Sequence, residues 1–255
     1  MTNNATNPVR GVEHTLTILE TLKDLDGARV SELAERLDLS KSTIHNHLAT
    51  LRQHHYVVKD TNTYYVGLRW FGLGGFARDQ VDLYHLARPT VDDLANETRE
   101  LALVTTEVHG HSMYLYQSSG DRAVTTDSYP GIELPLHCTA TGKAMLAHLP
   151  AERREYILDE HGLQQQTNHS ITEQQTLRDE LQHIRDQGFA LDDEERIDGM
   201  RGIAVPITRK DTGELLGALS ITGPTHRIKG DRFKTELPDM IHQSAREIEI
   251  NATYR

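Results

Sequence analysis

Two stretches carry side chains whose types and spacing can do chemistry. In the first, Ile44, Leu48 and Leu51 fall at i, i+4 and i+7, one apolar face of a helix. That leaves Lys41, Ser42, Thr43, His45, Asn46 and Thr50 facing outward, with Ser31 before them and Arg52 after. Short polar and cationic groups near a helix start are suited to contacting phosphates and base edges. In the second, Thr139-Ala140-Thr141-Gly142-Lys143 enters a helix through small residues. Free N–H groups at such a start favour an anion such as a carboxylate, and two threonine hydroxyls add donors. Thr139 can equally be a helix cap and nothing more.

The elements that must position the first set are legible around it. Val30–Val66 has two helical patterns joined by a tight turn at Asp38-Leu39-Ser40. Two β-rich runs follow, Tyr56–Lys59 and Tyr64–Val66. The order helix, turn, helix, hairpin describes a winged helix-turn-helix. Ser40 is placed to cap the second helix. Its apolar face is expected to pack on Leu33, Ala34 and Leu37, and on Leu16, Leu19 and Leu22 of a preceding helix. Charge agrees with a phosphate-facing surface. The chain has 27 Lys+Arg and 38 Asp+Glu, a formal net of −11. Residues 1–66 hold 7 basic and 8 acidic groups, whereas residues 67–255 hold 20 and 30. No acidic residue occurs from Leu39 to Lys59.

The rest of the chain is expected to be a sensor. After the hairpin, apolar positions 68, 71, 73 and 76 suggest a linker helix, against which Gly72, Gly74 and Gly75 count. A second helix from about Leu83 to Glu100 contains Pro89, so a kink or break is expected. Both segments have apolar surface for a dimer interface or for packing within their own chain. Leu101–Val108 and Ser112–Gln117 read as a hairpin across His109-Gly110-His111. Ala123–Ser128 reads as a third strand and Tyr129–Pro135 as a loop. Helices are expected to Leu149, over Ala151–Glu160, and over Thr172–Gln187 with a Thr172/Gln175 capping box. Strands at Gly202–Thr208 and Leu215–Thr222 and a last helix at Leu237–Ile250 complete an α+β domain, an antiparallel sheet with flanking helices. No run is apolar enough to span a membrane, and the start lacks a signal pattern, so a cytoplasmic protein is expected. Cys138 is the lone cysteine, which excludes an internal disulfide. The acidic excess and the preference for Arg over Lys, 20 to 7, suggest a salt-adapted, haloarchaeal source. Salt weakens the phosphate-neutralising part of DNA binding, which shifts specificity towards base edges, shape and water.

Three motifs in order give the chain a resemblance to the IclR family of transcription regulators. They are LSKSTIHNHLATLRQHHYVV with YYVGLRWFGLG, then LPLHCTATGKAMLAHLP, then ALDDEERIDGMRGIAVPI with GALSITGP. The resemblance implies a winged helix-turn-helix over residues 8–67, a linker helix over 68–82 and a GAF-like effector domain over 83–255. It also implies homodimers or homotetramers on palindromic double-stranded operators. It places an effector pocket between the Thr139–Thr141 loop, the Asp192 region, the Met200–Gly202 turn and the strand bearing Ser220 and Thr222. Leu134 and Met200 would form its apolar wall, and Asp192 would accept from ligand hydroxyls. The expected effector is a hydroxylated carboxylate, such as a sugar acid or another small organic acid of a catabolic pathway. Where members often have a basic residue in the recognition helix, this chain has Asn46. It can read adenine through a bidentate contact, or touch only phosphate or water.

Other functions are weaker on the same residues. An enzyme using the 192–195 acidic cluster, or His137 and Cys138, would lack any GxSxG elbow, Walker loop or HExxH. The cluster can also be a solvated run. A metal-responsive regulator would need ligands from His45, His47, His54, His55, His109 and His111, whose spacing composes no four-ligand set. No cofactor is expected.

Overall fold

A computed structural model of the chain describes residues 5–254, so Arg255, where the expected effector domain ends, lies outside the described residues. Two compact units divide between Ala77 and Arg78.

The first unit contains α1 (Arg10–Asp24), α2 (Val30–Leu37), α3 (Lys41–Gln53) and the hairpin β1 (Val57–Asp60) and β2 (Thr63–Val66). The turn between α2 and α3 is made by Asp38, whose φ of 51° suits a short polar side chain. Ser40 Oγ then accepts the Thr43 N–H at 3.1 Å and starts α3. Ile44, Leu48 and Leu51 join Leu33, Ala34 and α1 in one core. Leu16 does not: it is 51% exposed, and Ile18 fills the place expected of it. On α1, residues 18, 19 and 22 share one side and residue 16 lies away from it. α4 (Arg69–Asp79) leaves the hairpin and runs unbroken through its three glycines without burying a residue. Its start is fixed by Trp70 Nε1, which donates to the Tyr56 carbonyl at 3.0 Å.

The second unit is built on a six-stranded sheet of β3 (Leu101–Val108), β4 (His111–Ser119), β5 (Glu133–Pro135), β6 (Ala190–Asp193), β7 (Met200–Thr208) and β8 (Leu215–Pro224). Its order is β5-β4-β3-β8-β7-β6, antiparallel throughout. The β3–β4 turn needs left-handed backbone at His109 and Gly110 (φ 50° and 86°), the geometry of a two-residue hairpin turn. Ala123–Ser128 is not a strand. Its groups are used elsewhere, Asp127 on Arg196 and the Ser128 carbonyl on Gln117. The outer edge of β4 is taken instead by Glu133–Pro135, inside the stretch expected to be a loop.

α5 (Asp82–Thr98) passes through Pro89 without a break. Pro89 and His85, whose carbonyl loses its partner, are both exposed, so solvent satisfies that carbonyl. α5 and α9 (Leu237–Thr253) cover one sheet face. α6 (Ala140–His148), α7 (Ala151–His161) and α8 (Gln174–Gln187) belong to the core of the other. The expected Thr172 capping box is absent: α8 starts after Glu173 without a side-chain cap, and Gln175 bonds Asp179. Strand alternation divides the faces by size. Ile203, Val205, Leu219 and Ile221 meet α5 and α9. Gly202, Ala204, Ala218 and Ser220 point to α6, and only side chains this small let a helix lie close.

Candidate DNA-reading face and ligand pocket

On α3 the hydrogen bonds divide the outward residues into two groups. The hydroxyls of Thr43 and Thr50 are engaged locally, with Ser40 Oγ at 2.8 Å and the Asn46 carbonyl at 2.9 Å. The side chains of Lys41, His45, Asn46 and Arg52 are exposed and have no hydrogen bond among the described residues, while Ser31 and Ser42 are exposed beside them. His47 differs. It turns inward to Thr15 Oγ1 at 2.8 Å, and burial, aided by His14, lowers its pKa. The outer side of α3 therefore offers unpaired donors and two unneutralised cations at helical spacing.

The pocket in the second unit is a consequence of register. Leu101 pairs with Thr222, Thr222 with Gly202, and Gly202 with Asp192, so one row crosses four strands. The next row brings Leu103 beside Ser220. The start of α6 lies over these rows. It fits because Gly142 has no side chain: a Cβ there would stand 2.1 Å from the Leu136 carbonyl oxygen. The result is a small pocket, partly open to solvent. Of the residues expected there, Thr139, Ala140, Thr141, Asp192, Met200, Gly202, Ser220 and Thr222 all line it. Leu134 does not. It packs with Leu101, Leu103 and Tyr114 behind the wall, and Leu101, Leu103 and Ile197 supply the apolar surface in its place.

Three hydroxyls have internal duties, and that of Thr141 meets Ser112 Oγ at 3.4 Å. Thr139 Oγ1 accepts the Gly142 N–H at 3.0 Å, so Thr139 is both cap and lining, and its own proton stays free. Ser220 Oγ donates to the Ile203 carbonyl at 2.8 Å, which leaves only its lone pairs for a ligand. Asp192 Oδ1 accepts the Glu195 N–H at 2.8 Å and so shapes the 192–196 turn. Burial, reinforced by the charge of Glu195, pushes the Asp192 carboxyl up to about 7. The 192–195 cluster is thus only partly a solvated run: Asp193 is exposed, whereas Asp192 and Glu195 are committed inside. Glu195 is buried against the ammonium of Lys143, a side chain 1% exposed that also reaches Glu180 at 3.4 Å. The Thr167 hydroxyl donates to the Glu194 carbonyl at 2.7 Å, and the Ser170 hydroxyl to the Glu195 carbonyl at 2.6 Å.

Sequence reasoning missed Leu101, Leu103, Tyr114, Thr126, Ser128, Arg196 and Ile197. The strand residues would have followed from the β3–β8 pairing, which no local pattern announces. Arg196 stood in plain sight within the acidic run. Chemistry by Cys138 is disfavoured, because burial pushes its thiol up to about 12. The histidine sets named from sequence form no ligand cluster among the described residues. His169, Glu194 and Asp198 do bring donor atoms within 4.8 Å of one another, but they stand open to solvent, and no buried donor joins them. Among the described residues no helix is long and apolar enough to cross a membrane.

Known proteins match this architecture along its length. The family model "IclR helix-turn-helix domain" matches residues 11–61, and "Bacterial transcriptional regulator IclR C-terminal" matches residues 76–250. The chain is 37% identical over 252 residues to a Probable HTH-type transcriptional regulator ArcR of Halobacterium salinarum, covering 97% of this chain and 95% of that one. The crystal structure of the Thermotoga maritima IclR superposes with a TM-score of 0.77 at 25% identity, over 96% of this chain and 99% of that one. An IclR homologue from Microbacterium hydrocarbonoxydans, in complex with 4-hydroxybenzoate, shares the fold with a TM-score of 0.79 at 22% identity, over 96% and 100% of the two chains. With both parts matched in order, the chain belongs to the IclR family of DNA-binding transcription regulators, and it is a regulator rather than an enzyme.

Proposed function

We propose that the chain binds a palindromic operator through Ser31, Lys41, Ser42, Thr43, His45, Asn46, Thr50 and Arg52, and that a small carboxylate in the second unit modulates this binding. The observation that carries the reading is the pocket at the start of α6. Backbone N–H groups and threonine hydroxyls meet there beside a carboxyl that is half neutral near pH 7. Donors on one side and Asp192 as an acceptor on the other suit a hydroxylated acid, a sugar acid or an aromatic one. The Microbacterium homologue holds a molecule of that kind, 4-hydroxybenzoate. A catabolic operon is the natural target of such a sensor, and the cytoplasm its place of action.

Two copies of the chain would present two α3 helices to half-sites about one helical turn apart. Exposed apolar side chains support self-association: Val12 and Leu16 on α1, and Leu68, Phe71 and Phe76 at and along α4, the last three 90%, 77% and 68% exposed. Functionally the chain divides into residues 8–67 for DNA, 68–82 for linkage and 83–255 for the effector. An effector that favours one arrangement of the dimer shifts operator affinity by its differential binding alone. Fluorescence anisotropy on duplexes from upstream of the chain's own coding sequence tests this, with and without candidate acids. Affinity should change with acid for the wild type, and Lys41→Glu with Arg52→Glu should abolish binding. Unchanged affinity in that double variant would refute the assignment of the reading face.

A further inference from the structure

We propose that the pocket is built for a dicarboxylate: one carboxylate lies at the start of α6, and the other takes the Arg196 guanidinium from Asp127. This rests on the carboxylate reading above and adds a second anion subsite to it. The Arg196 side chain is only 12% exposed and lines the pocket. Its Nη2 donates to Asp127 Oδ2 at 2.7 Å, and Nε and Nη1 make no hydrogen bond among the described residues. Asp127 is the weaker half of the pair, with 65% of its side chain in solvent. With that partner open to water, the pair is held less firmly than a fully buried one. A ligand carboxylate inside the pocket can meet the guanidinium fork with two parallel hydrogen bonds and less competition from water.

The surroundings favour a second negative charge. The two ligand-binding ends, Arg196 and the α6 start, are both electropositive. Asp192 is the one acid among the lining residues, and burial keeps it largely neutral below pH 7. Glu195 is already matched by Lys143. Asp127 sits between Thr126 and Ser128, which both line the pocket. The Arg196–Asp127 pair therefore ties the 192–196 turn to the 121–131 loop across the pocket mouth. When the ligand takes Arg196, Asp127 is released and the loop loses this tie. Occupancy is thereby converted into a local change of structure that a monocarboxylate would not produce.

Calorimetry on the full chain at fixed salt tests the subsite, with succinate and glutarate against butyrate and valerate. At least one diacid should bind about tenfold more tightly than the monoacid of equal length. Arg196→Gln should erase that preference and leave monoacid affinity within about twofold. Arg196→Lys should restore part of the preference, and Asp127→Asn should tighten diacid binding alone. Thermal midpoints of the variants report whether each still folds. Equal affinity of diacid and monoacid in the wild type, or equal loss of both in a folded Arg196→Gln, overturns the second subsite while the carboxylate reading stands. If none of the four acids binds the wild type, the second subsite is overturned, and the carboxylate reading falls with it if 4-hydroxybenzoate fails to bind too.

Discussion

The α3 face and the α6 pocket solve recognition in opposite ways. On α3 the polar groups other than His47 are outside, spaced by one helix and backed by an apolar core. In the pocket they are inside, gathered from strands more than 100 residues apart in sequence, beside one buried ion pair, Lys143 with Glu195. A polymer can be met by a surface, and its phosphates contribute the charge. A small molecule must be surrounded, so the protein has to desolvate its own charged groups to do it. The difference predicts that substitutions in the pocket act on stability and those on α3 act on binding.

The largest effect should come from Lys143→Met, which leaves Glu195 buried without its cation. A loss of about 3–5 kcal/mol is expected by denaturant titration of the second unit, and adding Glu195→Leu should recover much of it. A loss below about 1 kcal/mol would remove the contrast between the two regions. Asp192→Asn comes next, and acts through pH. The carboxyl titrates at about 4 in the unfolded chain and at about 7 in the folded one. The folded state therefore keeps a proton that the unfolded state releases between these values. Its stabilising contribution is complete below about pH 4 and is lost as pH rises through 7. Thermal midpoints of Asp192→Asn should thus rise relative to the wild type between roughly pH 5 and roughly pH 8.

On α3, Lys41→Ala should leave the thermal midpoint unchanged. It should weaken operator binding uniformly across sequences and reduce the slope of log affinity against log salt by about 1. Asn46→Ala sharpens the other side of that test, because it should relax base preference only if the amide reads a base. Ser40→Ala is the smallest change. Losing the cap on the Thr43 N–H should cost about 1 kcal/mol in the first unit.

The same contrast explains what could be read from the sequence. The α2–turn–α3–hairpin order is a local property: caps, periodicity and a polar turn all lie within a few residues of what they control. Leu16 was misjudged because the buried side of α1 is set by its packing partners, and at Pro89 the expected kink or break resolves at least against a break, since α5 is continuous there. In the pocket, Thr139–Thr141 was visible as a helix start, and Asp192 through its motif. Leu101, Leu103 and Tyr114 reach the pocket only by strand pairing, and β5 displaced Ala123–Ser128 at the sheet edge because of side-chain commitments elsewhere. Arg196 needed the turn that Asp192 itself organises.

The smallness of Gly202, Ala204, Ala218 and Ser220 has a consequence for how such a sensor can change. Larger residues on that layer would lift α6 and erase the chamber, so the base of the binding space is nearly closed to mutation. The mouth, where Thr126, Ser128 and Arg196 come from loops, carries no such restriction. New ligand preferences should therefore arise by rewriting the mouth while the base stays fixed.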